Sequence, residues 1–264
     1  MKTIQNKIIA IYGPTTSSKL SLALSLSKYI WGKYNIEPEV INVDSRKIYK
    51  EFIISQSLPS KELHAKVKTH LFGCESAKKK LSLFEFQKIA KKKIAEVQFR
   101  ECLPIIVGGS ILHLAAILKN WKDGEKQKNE GLPPNTLVFS LAVNKTTLKK
   151  LISKNIEQMF KNGLYKEFKY LYKKSLVGLI SGDLLNETLG YRQFLEMARV
   201  SKKLPIELTP KDLIKVKKWI IKDIAKYAYH QTLDHKKFLS GAIIVKNFQE
   251  AKNKICDFLL KDCP

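Results

Sequence analysis

Apolar residues in this chain fall into short continuous runs, separated by longer stretches where they recur every three or four positions. Lys7–Tyr12 and Glu39–Val43 are β-branched runs of the kind covered on both faces of a parallel sheet, and Leu103–Val107 and Leu137–Val143 repeat the pattern. Ala242–Val245 is a shorter copy. Between the first two runs, LSLALSLSKYI (Leu20–Ile30) alternates with period two, as a half-exposed strand would. Its leucine and alanine content, and the lysine-bearing turn before it, nevertheless predict a helix. Ser82 and Glu85 have the spacing of a capping box, after which Phe86, Ile89, Ala90, Ile94 and Val97 keep helical spacing up to Arg100. A further helix is predicted from Ile111 to about Lys119.

Past the fourth strand the pattern turns helical. Leu148, Leu151, Ile152, Ile156, Met159 and Phe160 mark one amphipathic helix, and Leu164, Phe168 and Leu171 mark another after Gly163. A third helical region runs from Pro210 to about His235, and a last helix starts at Asn247 after the short strand. WKDGEKQKNEGLPPN (Trp121–Asn135) has the glycines, prolines and charge of an exposed linker. Strands separated by helices predict an α/β fold: a parallel sheet flanked by helices, with a helical carboxyl-terminal half, in a single domain over residues 1–264.

Composition narrows the class. The 264 residues are 44% apolar, enough for a sizeable core without staples. Cys74, Cys102, Cys256 and Cys263 include no C-x-x-C pair, as expected for a reducing compartment, and no apolar stretch reaches the length of a membrane span. The expectation is therefore a cytoplasmic protein that is not bound to membranes, acting as a monomer. A formal charge of +24 invites a polyanionic partner. With 44 lysines against 4 arginines, a generally lysine-rich composition would give the same excess. The lysine runs Lys78–Lys80 and Lys91–Lys93 read as solvated faces, and Trp31, Trp121 and Trp219 as core or helix-packing residues. His64, His70, His113, His230 and His235 show no H-E-x-x-H spacing, so no metal ligands are assigned.

Three segments could carry chemistry. IIAIYGPTTSSKL (Ile8–Leu20) supplies the strand, first glycine and lysine of a phosphate loop, but lacks the second glycine and the closing hydroxyl. In such a loop successive N–H groups cradle phosphates at a helix amino terminus and the lysine adds a full charge; an ordinary strand-turn-helix fits the same residues. INVDSRKIY (Ile41–Tyr49) delivers Asp44 to the carboxyl edge of a strand, where α/β proteins bind ligands, although a lone aspartate there can also be a turn former. LPIIVGGSILHL (Leu103–Leu114) places a glycine pair and Ser110 at a helix start, where Ser110 could equally be an N-cap.

Taken together, and with NGLYKEF (Asn162–Phe168), ETLGYRQFLE (Glu187–Glu196) and YAYHQTL (Tyr227–Leu233), the chain resembles the tRNA dimethylallyltransferase family from Ile8 to about Phe238. The resemblance implies a P-loop NTPase-like fold and transfer of a dimethylallyl group from its diphosphate to the exocyclic amine of the adenine beside a tRNA anticodon. By match to the family, Asp44 would be the general base, Ser110 would stand near the reacting amine, and Lys19 would neutralise the leaving diphosphate. Gly13, Pro14, Thr15, Thr16, Ser17 and Ser18 would complete the diphosphate loop. Ser45, Arg46, Tyr49, His70, Gly108, Gly109, His230 and Gln231 would contact substrate or tRNA. Magnesium is the cofactor the resemblance implies.

Several positions depart from the family pattern. Ser18 replaces a glycine, Leu20 the hydroxyl that would hold magnesium, and Leu58 the lysine of a G-T-A-K-P segment, here SQSLP. THLFG (Thr69–Gly73) keeps His70 without the following carboxylate, and Tyr229 and His230 stand in place of two cations. Residues 121–135 occupy the place of the family's helical tRNA-gripping insertion. An adenine-nucleotide prenyltransferase, or a paralogue that binds tRNA or nucleotide without turnover, is the alternative these departures raise.

Overall fold

The computed structural model describes residues 6–60, 62, 67–119 and 131–260, and of 234–237 the backbone alone. Strand β1 (Ile8–Tyr12) leads into α1 (Lys19–Tyr34), followed by β2 (Pro38–Asn42), β3 (Thr69–His70), α2 (Leu83–Phe99), β4 (Leu103–Gly108) and α3 (Ile111–Leu118). Then come β5 (Thr136–Leu141), α4 (Lys145–Lys161), α5 (Leu164–Leu176), α6 (Gly182–Glu187), α7 (Arg192–Ser201), α8 (Pro210–Phe238), β6 (Ile243–Val245) and α9 (Phe248–Leu260). The six strands form one sheet in the order β3-β2-β4-β1-β5-β6. Every pairing is parallel. The expected parallel α/β sheet with a helical carboxyl half is what forms. Of the linker read at 121–135, residues 121–130 lie outside the described residues, as do His64 and Cys263.

Alternation along the strands splits the core in two. Ile9 and Ile11 of β1 face α1 and α9, whose Leu22, Ala23, Leu26, Ile30, Ala251 and Ile255 are buried there. Ala10 and Tyr12 face the other side, where α2, α3 and the helices of the carboxyl half bury Phe86, Leu114, Ile152, Phe168, Phe194 and Ile220. Adjacent strands β1 and β4 thus send their following helices, α1 and α3, to opposite faces. That reversal opens a crevice between their carboxyl ends.

Local sequence explains the elements. The capping box forms as expected, with Ser82 Oγ accepting the Glu85 N–H and the Glu85 side chain accepting the Ser82 N–H. The segment Leu20–Ile30 is helical despite its period-two pattern, because Leu22, Ala23, Leu26 and Ile30 make a helical stripe, which also takes in Ser27 bonded to the Ala23 carbonyl, while Ser21, Leu24 and Ser25 spread around it. Trp219 packs against the core as expected. Trp31 does not: it is 51% exposed, since it follows Ile30 and so points about 100° away from the buried stripe of α1. The edge strand β3 is too short to leave a periodic signal.

Candidate active site

The loop after β1 is bent by sterics. A Cβ on Gly13 would lie 2.9 Å from both Leu141 Cβ and Ser17 Oγ, so only glycine fits there. Thr16 (φ 63°) and Ser18 (φ 59°) both adopt the left-handed conformation, so the position where Ser18 replaces glycine does demand it, at about 1–2 kcal/mol. Ser18 stands at the N-cap of α1 without a side-chain cap bond. The Thr16 hydroxyl is shut away from solvent with no hydrogen-bond partner, a strain that an incoming acceptor would relieve. Lys19 donates to the Pro14 carbonyl at 2.7 Å and to Ser17 Oγ at 3.5 Å. Burial pushes its ammonium down to about 8, with nearby Lys47 adding to the effect and Asp44 opposing it.

Asp44 is held by the residue two before it. Asn42 Oδ1 accepts the Asp44 N–H at 3.0 Å, and Asn42 Nδ2 donates to the carbonyls of Asp44 and Leu71. Asp44 Oδ1 accepts the Arg46 N–H at 3.0 Å, a turn-forming bond. Its other oxygen lies 3.6 Å from where a Cβ on Gly109 would stand, a point 3.5 Å from the Gly13 carbonyl oxygen. One aspartate therefore shapes the turn with one oxygen and leaves the second in the crevice. Lys19, Gly13, Asp44 and Gly109 meet at a single edge of the sheet.

Gln231, far along α8, closes this edge. Its Oε1 accepts the Thr15 N–H at 2.9 Å, its Nε2 donates to the Gly109 carbonyl, and its own carbonyl accepts the Tyr12 hydroxyl at 2.6 Å. The side chain is buried, so one amide satisfies a donor of the phosphate loop and an acceptor of the glycine pair at once. Gly108 ends β4 in register with Tyr12. Ser110 holds the N-cap position of α3 yet makes no capping bond; its hydroxyl pairs with His113 Nδ1 at 2.7 Å. Burial drives the His113 imidazole down to about 4, with Asp44 opposing and Arg46 reinforcing the shift. His113 is thus a neutral partner at neutral pH, braced edge-on by Phe86 at 5.1 Å.

Other expected contacts are distributed less tightly. Arg46 is paired with Glu187 at 2.8 Å, and Ser45 is half-buried in the turn after Asp44. His230 is exposed beside Gln231, against Tyr229. Tyr49 is in the core, where its hydroxyl accepts the Leu81 N–H at 2.9 Å. His70 bonds Glu39, a fully buried carboxylate that also pairs with Lys68 at 2.8 Å and Arg100 at 2.7 Å. Its ring is taken up by a charge cluster set back along β2 from Asp44.

The motifs of the carboxyl half act as scaffolding. Glu167 accepts the N–H groups of Ile54 and Ser55 at 2.7 and 2.9 Å and the Tyr191 hydroxyl at 2.6 Å. This ties NGLYKEF and LGYRQ to the loop that contains Leu58. Lys47 reaches the same loop, donating to the carbonyls of Gln56 and Ser57. Neither Lys47 nor His113 stands out in the sequence. The S-x-x-H spacing at a helix start, matching the reach of an N-cap side chain to the third residue, is the signal that could have found His113.

The donor set does not fit a magnesium ion held at the start of α1. Leu20 has no ligand atom and packs against the apolar cluster around Leu22 and Leu26. Among the described residues the one clustered set of metal-binding side chains is Glu37, Glu39 and Cys102, and the Glu39 oxygens are already taken by cations.

Similarity to known proteins agrees with this geometry. A family described as IPP transferase matches residues 47–132 and 122–233. A tRNA dimethylallyltransferase of Oenococcus oeni is 28% identical over 200 residues, covering 72% of this chain and 73% of that protein. One from Chloroflexus aggregans is 37% identical over 117 residues, 44% of this chain and 38% of that protein. The crystal structure of the full-length tRNA isopentenylpyrophosphate transferase from Bacillus halodurans superposes with a TM-score of 0.79 at 20% identity, covering 97% of each chain, and shares the fold. On the breadth of the family match, which spans the turn after Asp44, the glycine pair and Gln231, the chain belongs to the IPP transferase family.

Proposed function

We propose that this protein transfers a dimethylallyl group from dimethylallyl diphosphate to the exocyclic N6 amine of the adenine beside the anticodon of tRNA. In the transfer, the N6–C1 bond forms, the C1–O bond to diphosphate breaks, and the amine gives up a proton. Asp44 Oδ2, the oxygen left free by the turn, is the acceptor for that proton. Lys19 and the amides of the phosphate loop receive the departing diphosphate, where their charge and orientation count most. Paired with His113, the Ser110 hydroxyl is held at the start of α3, and in the tautomer where His113 Nδ1 is the acceptor its lone pairs stay available for an N–H of the amine. Extrusion of the adenine from the anticodon loop costs a few kcal/mol, supplied by contacts elsewhere on the RNA, for which a charge of +24 is suited.

The observation that carries this reading is the convergence of Asp44 Oδ2 and the Gly13 carbonyl on Gly109, beside Lys19. The name shared by the relatives, tRNA dimethylallyltransferase, supports the acceptor. The same reading has the chain working as a cytoplasmic monomer of one domain, with residues 121–135 in place of a larger tRNA-gripping insertion. Purified protein incubated with labelled dimethylallyl diphosphate and tRNA lacking the modification should label the tRNA. Labelling of AMP instead, or salt-sensitive tRNA binding with no label transferred, would overturn it.

A further inference from the structure

We propose that Lys47 is a second diphosphate-binding cation, which works with Lys19 across Asp44 and restores the charge lost at Leu58. The inference rests on the cleft taking a prenyl diphosphate. It begins with an unbalanced set of charges. Lys19 and Lys47 are each hydrogen-bonded to uncharged oxygens, Lys19 to the Pro14 carbonyl and Ser17 Oγ, Lys47 to the carbonyls of Gln56 and Ser57. No carboxylate lies within ion-pairing distance of either ammonium among the described residues. Asp44 is the one carboxylate that acts on both through space, so two positive charges share one negative charge. Burial disfavours the charged form of both lysines, and at Lys19 the nearby Lys47 adds to the effect. An anion of more than one charge removes that imbalance, and a diphosphate is such an anion.

The second step is positional. In the family pattern the cation of the SQSLP segment stands at residue 58, where this chain has leucine. The Lys47 ammonium arrives at the two residues just before it, Gln56 and Ser57. That loop is fixed at Ile54 and Ser55 by Glu167, which is itself held by Tyr191, so the carbonyls offering a resting place to Lys47 are themselves anchored. A lysine can leave two carbonyls for a phosphate oxygen by rotating its own stem, with no backbone movement. Residue 47 is not one of the fixed residues of the D-S-R-x-x-Y motif, and its side chain makes no hydrogen bond to Asp44. Charge at this point also meets the loss at Leu20: an ammonium on the diphosphate does part of what a protein-held metal would do.

The test is calorimetric titration of the full chain with inorganic pyrophosphate in EDTA, read beside the transfer of labelled prenyl group to tRNA. Wild type should bind pyrophosphate without added metal. Lys47→Gln should weaken binding about 10- to 100-fold, the range for loss of one charge-assisted hydrogen bond, and Lys47→Arg should stay within about threefold of wild type. Adding Leu58→Lys to Lys47→Gln should recover most of the affinity; if Lys47→Gln folds poorly, Lys47→Met, which keeps the stem, decides the matter by the same 10- to 100-fold loss, and affinity within about twofold of wild type overturns the inference. Wild type that does not bind pyrophosphate in EDTA, or a Lys47→Gln variant within about twofold of it, overturns the inference. Binding that depends on Lys47 in a protein that transfers nothing to tRNA sustains the second cation and removes the proposed reaction. Transfer to tRNA with binding indifferent to Lys47 does the reverse.

Discussion

Two charge clusters lie at the two ends of β2, and they are built on opposite rules. At the start of the strand, Glu39 is fully buried and matched by Lys68, His70 and Arg100, with its carboxylate oxygens occupied. Just past the end, Asp44 has one oxygen in its own turn and one unengaged, while Lys19 and Lys47 rest on neutral oxygens. Burial alone would raise the Glu39 carboxyl, yet hydrogen bonds from Arg100, Lys68 and His70 outweigh it and hold it at about 2. At the other cluster, burial wins and lowers both lysines. Matched charge holds the fold together; unmatched charge at a strand end is the pattern on which the proposed diphosphate site rests.

The sharpest way to break this contrast is to neutralise each carboxylate in turn. Asp44→Asn should reduce prenyl transfer about 10²- to 10⁴-fold, the usual contribution of a general base, while leaving the urea midpoint nearly unchanged. Equal loss of stability and activity would place Asp44 with the structural charges. Glu39→Gln should do the opposite. Breaking this cluster should cost about 3 kcal/mol in urea unfolding, the lower end for a buried ion pair because Lys68 and Arg100 keep access to water, with pyrophosphate affinity unaltered.

The Glu39 cluster also sets a pH window. Its carboxyl lies at about 2 in the fold against an ordinary 4.5, so its contribution is complete above about 4.5 and disappears as pH falls toward 2. Wild type should therefore lose stability over that interval more steeply than Glu39→Gln, as followed by acid unfolding. His113 acts higher on the scale. Held at about 4 against 6.5, it stays neutral in the fold while the unfolded chain takes up a proton, so stability declines between those values as pH falls. A His113→Phe variant should flatten that part of the curve.

Smaller effects separate scaffold from site. Gln231→Leu orphans the Thr15 N–H and the Gly109 carbonyl and should cost about 1–3 kcal/mol in thermal or urea unfolding. Ser18→Gly, which removes a left-handed serine, should gain about 1 kcal/mol in the same measurement. No gain would mean that the serine side chain holds the loop through contacts an apo structure lacks.

Most of the sheet was legible because buried parallel strands are continuous apolar runs, and the capping box at Ser82 and Glu85 announced α2. The period-two stretch in α1 was decided by residue type, and β3 was invisible because two residues carry no period. At the site, Gly13, Lys19, Asp44 and Gly109 could be placed because each needs a specific residue at a strand end. A motif position does not tell whether its side chain faces the crevice or the interior: Tyr49 is buried against Leu81 and His70 is paired with Glu39. Lys47 leaves no sequence signal because its acceptors, the Gln56 and Ser57 carbonyls, meet it only through the folding of the loop, whereas His113 is signalled only by its S-x-x-H spacing from Ser110.

The Gln231 amide bridges residues 216 and 122 positions away in the chain, and this has a bearing on biosynthesis. A ribosome adding about 5–20 residues per second finishes the sheet's central strands many seconds before α8 emerges. Until then the Thr15 amide and the Gly109 carbonyl have no common partner, and the pairing of β1 with β4 alone holds the two loops together. The cross-brace of the site is therefore added at a late, defined moment of translation.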